Sequence, residues 1–200
     1  MGKTFDRDAL LDAFDRIGRA AASAGTKLQI AIYGGFALML ASNFRFATED
    51  ADVSELERPI PDWLATVIAD IARENRWADD WFNDGVAVHL SPLADHAADH
   101  LEFGTFPRDG GTPGLVVSVP SADYLLALKL KAIRISDPVR GEAERLDINL
   151  MRVVGISGAD EAIALLGRYF PASAASSEKQ RFLLKNMDRR GAADAPSYPR

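Results

Sequence analysis

The sequence predicts an α+β protein, a mixed β-sheet flanked by helices and followed by a helical C-terminal part. Three features lead there. Short apolar runs with strand character fall at residues 28–33, 50–53, 86–90, 101–106 and 115–119. Several connections between them are too short for a helical crossover, so some neighbours must be antiparallel. Beyond residue 120 the apolar spacing turns helical and stays so. The domains expected are a core over residues 1–120, a helical part over 121–190, and a small polar tail, 191–200, expected to be disordered.

Residues 8–22 open the chain as an amphipathic helix, with Leu10, Leu11, Phe14, Ile17 and Ala21 on one face and Asp6 or Asp8 as its cap. Gly25 ends it before the first strand. After the second strand, residues 54–61 carry two prolines and read as a loop; residues 63–75 return to helical spacing. Residues 76–85 are turn-rich and carry Trp77, Trp81 and Phe82, which read as packing groups rather than base-stacking ones. Residues 107–114, rich in Gly and Pro, turn one strand into the next. Ser121 caps a helix over 122–135; further helices are expected over 147–154, 160–169 and 177–187.

Charge and composition narrow the classes. Hydrophobic residues make up 48% and charged residues 26% of the 200, as in ordinary globular proteins. No apolar run approaches the roughly 18 residues of a membrane span, and the first residues lack a signal peptide's apolar core. Zero cysteines exclude disulfides and thiolate metal sites; a cytoplasmic protein is expected. A net charge of −6 argues against broad nonspecific nucleic-acid binding. The helix over 177–187, with Lys179, Arg181 and Lys185 and with Arg189 and Arg190 just beyond, is the local exception. It suits RNA phosphates or a solvated helix end equally.

The chemistry concentrates in residues 28–53. An apolar run leads into Gly34-Gly35, then into an apolar segment, Phe36, Leu38, Met39 and Leu40, with helical spacing; Ser42-Asn43 breaks it. Arg45, Thr48, Asp50 and Asp52 follow. Strand, glycine turn, helix beginning near Phe36, loop, strand is the order implied. Gly34 and Gly35 lack Cβ atoms, so a ligand can approach the main chain there, and the helix start would present N–H groups to an anion. On a strand, Asp50 and Asp52 share a face. Two such carboxylates repel unless a cation lies between them, and Mg²⁺ prefers oxygen ligands shared with phosphates. A triphosphate held by amides at one end and by metal-bridged carboxylates at the other is the layout of nucleotidyl or phosphoryl transfer.

Residues 33–38 (Tyr-Gly-Gly-Phe-Ala-Leu) and 45–53 (Arg-Phe-Ala-Thr-Glu-Asp-Ala-Asp-Val) resemble the signature of AbiEii-toxin-type minimal nucleotidyltransferases, members of the DNA polymerase β-like superfamily. Residues 124–132 and 145–148 resemble the same family further on. The resemblance implies a nucleotidyltransferase fold and Mg²⁺-dependent transfer of a nucleoside monophosphate from an NTP to an acceptor hydroxyl, with tRNA among the acceptors and an antitoxin protein as partner. It implies Asp50 and Asp52 as metal ligands, and Gly34, Gly35, Arg45 and Thr48 around the nucleotide. It adds Lys129, with Lys131 as rival, to neutralise the triphosphate, and Asp147 as general base or acceptor-positioning group. Many polymerase β-like enzymes carry a third carboxylate on a later strand. Residues 86–90 have none, though His89 stands there. A nucleotide-binding or partner-binding protein of the same fold, weak or inactive in catalysis, is therefore the alternative expectation; a structural module without ligand is a further one.

His96 and His100 stand at i, i+4, which on a helix would put them on one face as zinc ligands require. The metalloprotease pattern needs Glu directly after the first histidine, where Ala97 stands. A loop or short helix is expected instead.

Overall fold

The computed structural model describes residues 6–41, 51–54, 59–132 and 150–187. The chain forms two compact units, Met1–Val88 with His100–Pro120, and His89–Asp99 with Ser121–Arg200. The segment His89–Asp99 groups with the C-terminal helices, although the sequence placed it in the core.

The first unit is built on a five-stranded mixed sheet flanked by helices. Strands β1 (Leu28–Ile32), β2 (Ala51–Ser54), β3 (Phe82–Asn83), β4 (His100–Phe106) and β5 (Leu115–Pro120) lie in the order β3-β2-β1-β5-β4. β1 runs antiparallel to β2 and parallel to β5; β2 and β3 are parallel, and β4 and β5 antiparallel. Alternation gives the sheet two different faces. Ile30, Ile32, Ala51, Val53, Leu115, Val117 and Val119 form one, all at most 1% exposed. The other carries polar groups.

Helix α1 (Arg7–Ser23) covers the apolar face, capped by Asp6, whose side chain accepts from the Ala9 N–H at 3.0 Å. Its Phe14 ring meets Phe106 edge-on at 5.2 Å and Phe36 of helix α2 (Gly34–Ala41) at 6.1 Å. Helix α3 (Asp62–Asn75) is tied to α1 by the paired hydrogen bonds of Arg16 to Glu74, 2.7 and 3.1 Å. A buried charge adds a second tie. Asp15, 7% exposed, accepts from the Arg108 N–H at 2.7 Å and from its Nε at 2.9 Å, while Arg108 Nη2 reaches Asp12 at 2.7 Å. Asp15→Ala leaves the Arg108 N–H without its acceptor and the guanidinium with Asp12 alone. Loss of about 2 kcal/mol is expected, at the lower end for a charged buried bond because Arg108 is partly in water. Urea denaturation would read it, with Asp12→Ala, on the exposed side, costing far less.

Three expectations need correction. Residues 86–90 are not a strand: Gly85–His89 is a 3₁₀ helix. Asn83 Oδ1 accepts from the Gly85 N–H at 2.9 Å, and the Ala87 N–H closes on the Asp84 carbonyl at 3.0 Å. Those local bonds bend the chain, and Val88 is left 84% exposed. The alternation of valines therefore had no sheet face to bury against. The fifth strand is instead Phe82–Asn83, inside the stretch expected to be turn-rich, and Ser54 ends β2 rather than opening a loop. Trp77, Trp81 and Phe82 are at most 7% exposed, and Trp81 Nε1 donates to the Ile68 carbonyl at 3.2 Å, so they pack.

In the second unit, α4 (His96–Asp99) is a single turn, followed by α5 (Ala122–Ala132), helical residues 150–154, α6 (Ala159–Tyr169), α7 (Pro171–Ala175) and α8 (Glu178–Met187). Ser121 Oγ accepts from the Tyr124 N–H at 3.3 Å, the expected cap. A tyrosine pair pins residues 89–99 to these helices. Tyr124 Oη accepts from the Ser91 N–H at 2.9 Å; Ser91 Oγ donates to the Tyr169 carbonyl at 2.6 Å; Tyr169 Oη donates to Asp99 at 2.6 Å. Burial, then the bond to the Asp99 carboxylate, pushes the Tyr169 phenol well above its usual range. Its folded-state pKa is raised, so its contribution is complete below the unfolded value of about 10 and fades as pH rises past that. The melting temperature should fall between pH 10 and 11.5, and Tyr169→Phe should flatten that fall while lowering stability at pH 7. An unchanged alkaline slope in the variant would contradict this assignment. Residues 191–200 lie outside the described residues. No helix among those described is long and apolar enough to cross a membrane.

Candidate functional site

The site grows from the end of β1. β1 is apolar and central, so its register is pinned on both sides, by β2 and β5. Pairing of Ile32 with Val53 sets Tyr33 opposite Asp52, and the Tyr33 N–H donates to the Asp52 carbonyl at 2.9 Å. The chain then turns at Gly34, whose φ of 67° suits glycine. α2 starts there, so both glycines fall in its first turn and not in a separate turn ahead of Phe36. The Ala37 N–H closes that turn on the Tyr33 carbonyl at 3.2 Å.

α2 is apolar nearly all round: Phe36, Ala37, Leu38, Met39 and Leu40 are at most 3% exposed. A helix of that composition is held by packing on every side, and its position is fixed accordingly. Its N-terminal end carries amides without intrahelical acceptors and the positive end of the helix dipole.

Against that end lies Asp52. A Cβ placed on Gly34 would stand 2.7 Å from Asp52 Oδ2, with no other described atom but the Asp52 Cγ within 4 Å. The carboxylate thus occupies the space that any other side chain at position 34 would need. Asp52 is half-buried while its strand neighbours Ala51 and Val53 are 0% exposed, as the alternation requires. The Asp52 carboxylate is a hard oxygen donor of the kind Mg²⁺ takes, while the helix-start amides suit an anion.

Polar residues share that sheet face. Register extends the row from Asn83 through Asp52, Tyr33 and Pro120 to His100. Tyr33 Oη lies 2.7 Å from His100 Nε2, the rings meeting edge-on at 5.8 Å, and Ser54 Oγ donates to Tyr33 Oη at 3.4 Å. One row behind stand Ser54, Ala31, Ser118 and Glu102. Glu102 is a carboxylate on the same face as Asp52, but three strand spacings away, roughly 14 Å, which rules out a shared ion.

Gly34 and Asp52 are therefore brought together, with Gly35 the next residue of α2. Lys129 is half-buried on α5, in the other unit. Lys131 is engaged within that unit: Nζ donates to the His89 carbonyl at 2.8 Å and lies 4.2 Å from the centre of the Phe170 ring. Arg45, Thr48, Asp50 and Asp147 lie outside the described residues, as do Arg189 and Arg190. Arg181 pairs with Asp160. His96 sits in the α4 turn and His100 in β4, so the i, i+4 spacing does not put them on one helix face. Among the described residues no group of three His, Cys, Asp or Glu could hold a metal ion.

Sequence reasoning missed the polar row. Tyr33 reads as the end of an apolar run and His100 as part of a loop or short helix without a ligand role. The signal present was the i, i+2 relation of Asp52 to Ser54, which places a hydroxyl beside the acid. Elsewhere in the first unit a cleft of about 470 Å³ lies between α1 and the β4–β5 loop, lined by Arg19, Ser23, Asp109 and Thr112 among others. Arg19 and Asp109 satisfy each other there at 2.8 Å.

No protein-family model, curated protein or solved structure matches this chain.

Proposed function

We propose that this chain is a Mg²⁺-dependent nucleotidyltransferase with a fold of the polymerase β-like kind, moving a nucleoside monophosphate from an NTP to an acceptor hydroxyl. The observation that carries it is the Asp52 carboxylate seated on Gly34 at the first turn of α2. An acid and an anion-binding helix start repay close juxtaposition where one ligand is both anionic and metal-bound, and a nucleoside triphosphate is such a ligand.

The acceptor oxygen attacks the α-phosphorus, the bond from that phosphorus to the bridging oxygen breaks, and pyrophosphate leaves. Asp52, with Asp50 two residues earlier, would hold Mg²⁺, which when bound neutralises phosphate charge. Gly34 and Gly35 let the phosphates reach the main chain. Lys129, with Lys131 as its rival, would offset triphosphate charge. Asp147 takes the acceptor's proton or orients the acceptor, and Arg45 and Thr48 brace the nucleotide loop. A tRNA acceptor and an antitoxin partner rest on the resemblance of residues 33–53, 124–132 and 145–148 to AbiEii-type toxins. The absence of cysteine and of any apolar span in the sequence supports a cytoplasmic setting.

Incubation with each labelled NTP, Mg²⁺ and total RNA, followed by a gel and a pyrophosphate assay, tests the reading. Labelled RNA with stoichiometric pyrophosphate is the expected result. Metal-dependent NTP binding without release would leave a binding protein of the same fold, and neither binding nor release would end the proposal.

A further inference from the structure

We propose that Tyr33 and His100 act together as a positioning pair for the Asp52 site, an inference that rests on the nucleotidyltransferase reading. Tyr33 joins three parts of that site through its main chain. Its N–H holds the Asp52 carbonyl at 2.9 Å, its carbonyl receives the Ala37 N–H at 3.2 Å, and its C-terminal neighbour is Gly34. Whatever fixes Tyr33 fixes the distance between the acid and the helix start.

Its side chain supplies that restraint. The ring is 2% exposed, and Oη lies 2.7 Å from His100 Nε2 on β4, across the intervening strand β5. Ser54, on the Asp52 face of β2, donates to the same oxygen at 3.4 Å. The hydroxyl therefore links three strands, β2, β1 and β4, on the one sheet face that carries Asp52. A tyrosine needed only for core volume would be served by phenylalanine. A buried hydroxyl with two side-chain partners in line with the acid is a different arrangement, because each partner costs stability if left unsatisfied. Small displacements matter at such a site, since a shift of about 1 Å in a reacting group can cost as much as a hundredfold in rate.

Neither side chain is assigned contact with substrate; both act on the Gly34–Asp52 spacing. The test measures the affinity of the full chain for Mg·ATP, Mg·GTP, Mg·CTP and Mg·UTP in a double-mutant cycle of Tyr33→Phe and His100→Ala, with melting temperatures alongside and Asp52→Asn as reference. Each single variant is expected to weaken Mg·NTP binding about tenfold, and the double variant about tenfold too, because one link is broken once. His100→Gln, which keeps a polar partner for Oη, should recover part of the loss. It also replaces His100→Ala in the cycle should that variant fail to fold. Affinities unchanged in folded variants, or losses that multiply in the double variant, would overturn the pairing while leaving the nucleotide reading intact. Absence of binding to all four nucleotides in the parent protein would overturn both.

Discussion

Gly114→Ala is expected to be the most damaging single methyl in the first unit, lowering stability by about 3 kcal/mol or more. A Cβ at Gly114 would stand 1.9 Å from the Gly18 carbonyl oxygen and 2.7 Å from the Ala22 nitrogen. Both are main-chain atoms of α1, so no side chain can swing away. The helix itself would have to lift off the sheet, and it carries Leu10, Phe14 and Ile17, each 0% exposed. Gly18→Ala presses on the same interface from the other side, its Cβ 2.6 Å from the Phe106 carbonyl oxygen. There the clash is opposed by helix propensity, which favours alanine over glycine by about 1 kcal/mol. Gly18→Ala should still destabilise, by less than Gly114→Ala. The double variant should cost less than the sum, because the helix is displaced only once. Urea midpoints of the four proteins check this. A Gly114→Ala midpoint within experimental error of the parent would mean that α1 does not seat there.

Much of the fold could be read from spacing. The face of α1 with Leu10, Leu11, Phe14, Ile17 and Ala21 is the buried one, and the runs at 28–33, 101–106 and 115–119 are strands, because each has a clear period and a turn signal at its end. The misreading at residues 86–90 has a physical cause. Val-Ala-Val-His-Leu looks like a strand by composition, yet Asn83 and Asp84 offer local acceptors just before it and the chain curls onto them. β3 is only two residues long, too short to show any period. Its place in the sheet comes from pairing with β2, a partner residue-by-residue patterns cannot name. The membership of residues 89–99 in the second unit is of the same kind. It depends on Ser91, Tyr124, Tyr169 and Asp99 finding one another across up to 78 positions.

The site was legible where its parts are close in sequence. Gly34 and Asp52 belong to one strand–helix–strand unit, and antiparallel pairing of the two strands brings their ends together almost by necessity. Tyr33 with His100 was not legible, because β4 reaches that face only through β5, and the order of strands in a sheet is not written in the local sequence.

Asp52→Asn should abolish Mg²⁺-dependent nucleotide binding and reduce pyrophosphate release by at least about a hundredfold, the scale on which removal of one preorganised charge acts in transfer reactions. Asparagine keeps the shape seated on Gly34, so the packing at α2 survives and only charge is lost. The stability effect has a definite sign. Asp52 lies against the positive end of the α2 dipole, so Asp52→Asn, which removes the charge, should lower the melting temperature slightly. In the parent, Mg²⁺ with NTP should raise the melting temperature; in the variant that rise should vanish. Asp52→Ala separates the two contributions. It removes charge and shape together, opens space above Gly34, and should match Asp52→Asn in lost activity while melting lower. A protein that needed Asp52 only to fill the space at Gly34 would reverse this order, with Asp52→Asn fully active and Asp52→Ala alone impaired. Parent-like pyrophosphate release from Asp52→Asn would therefore remove the acid from the reaction and leave it as a packing group.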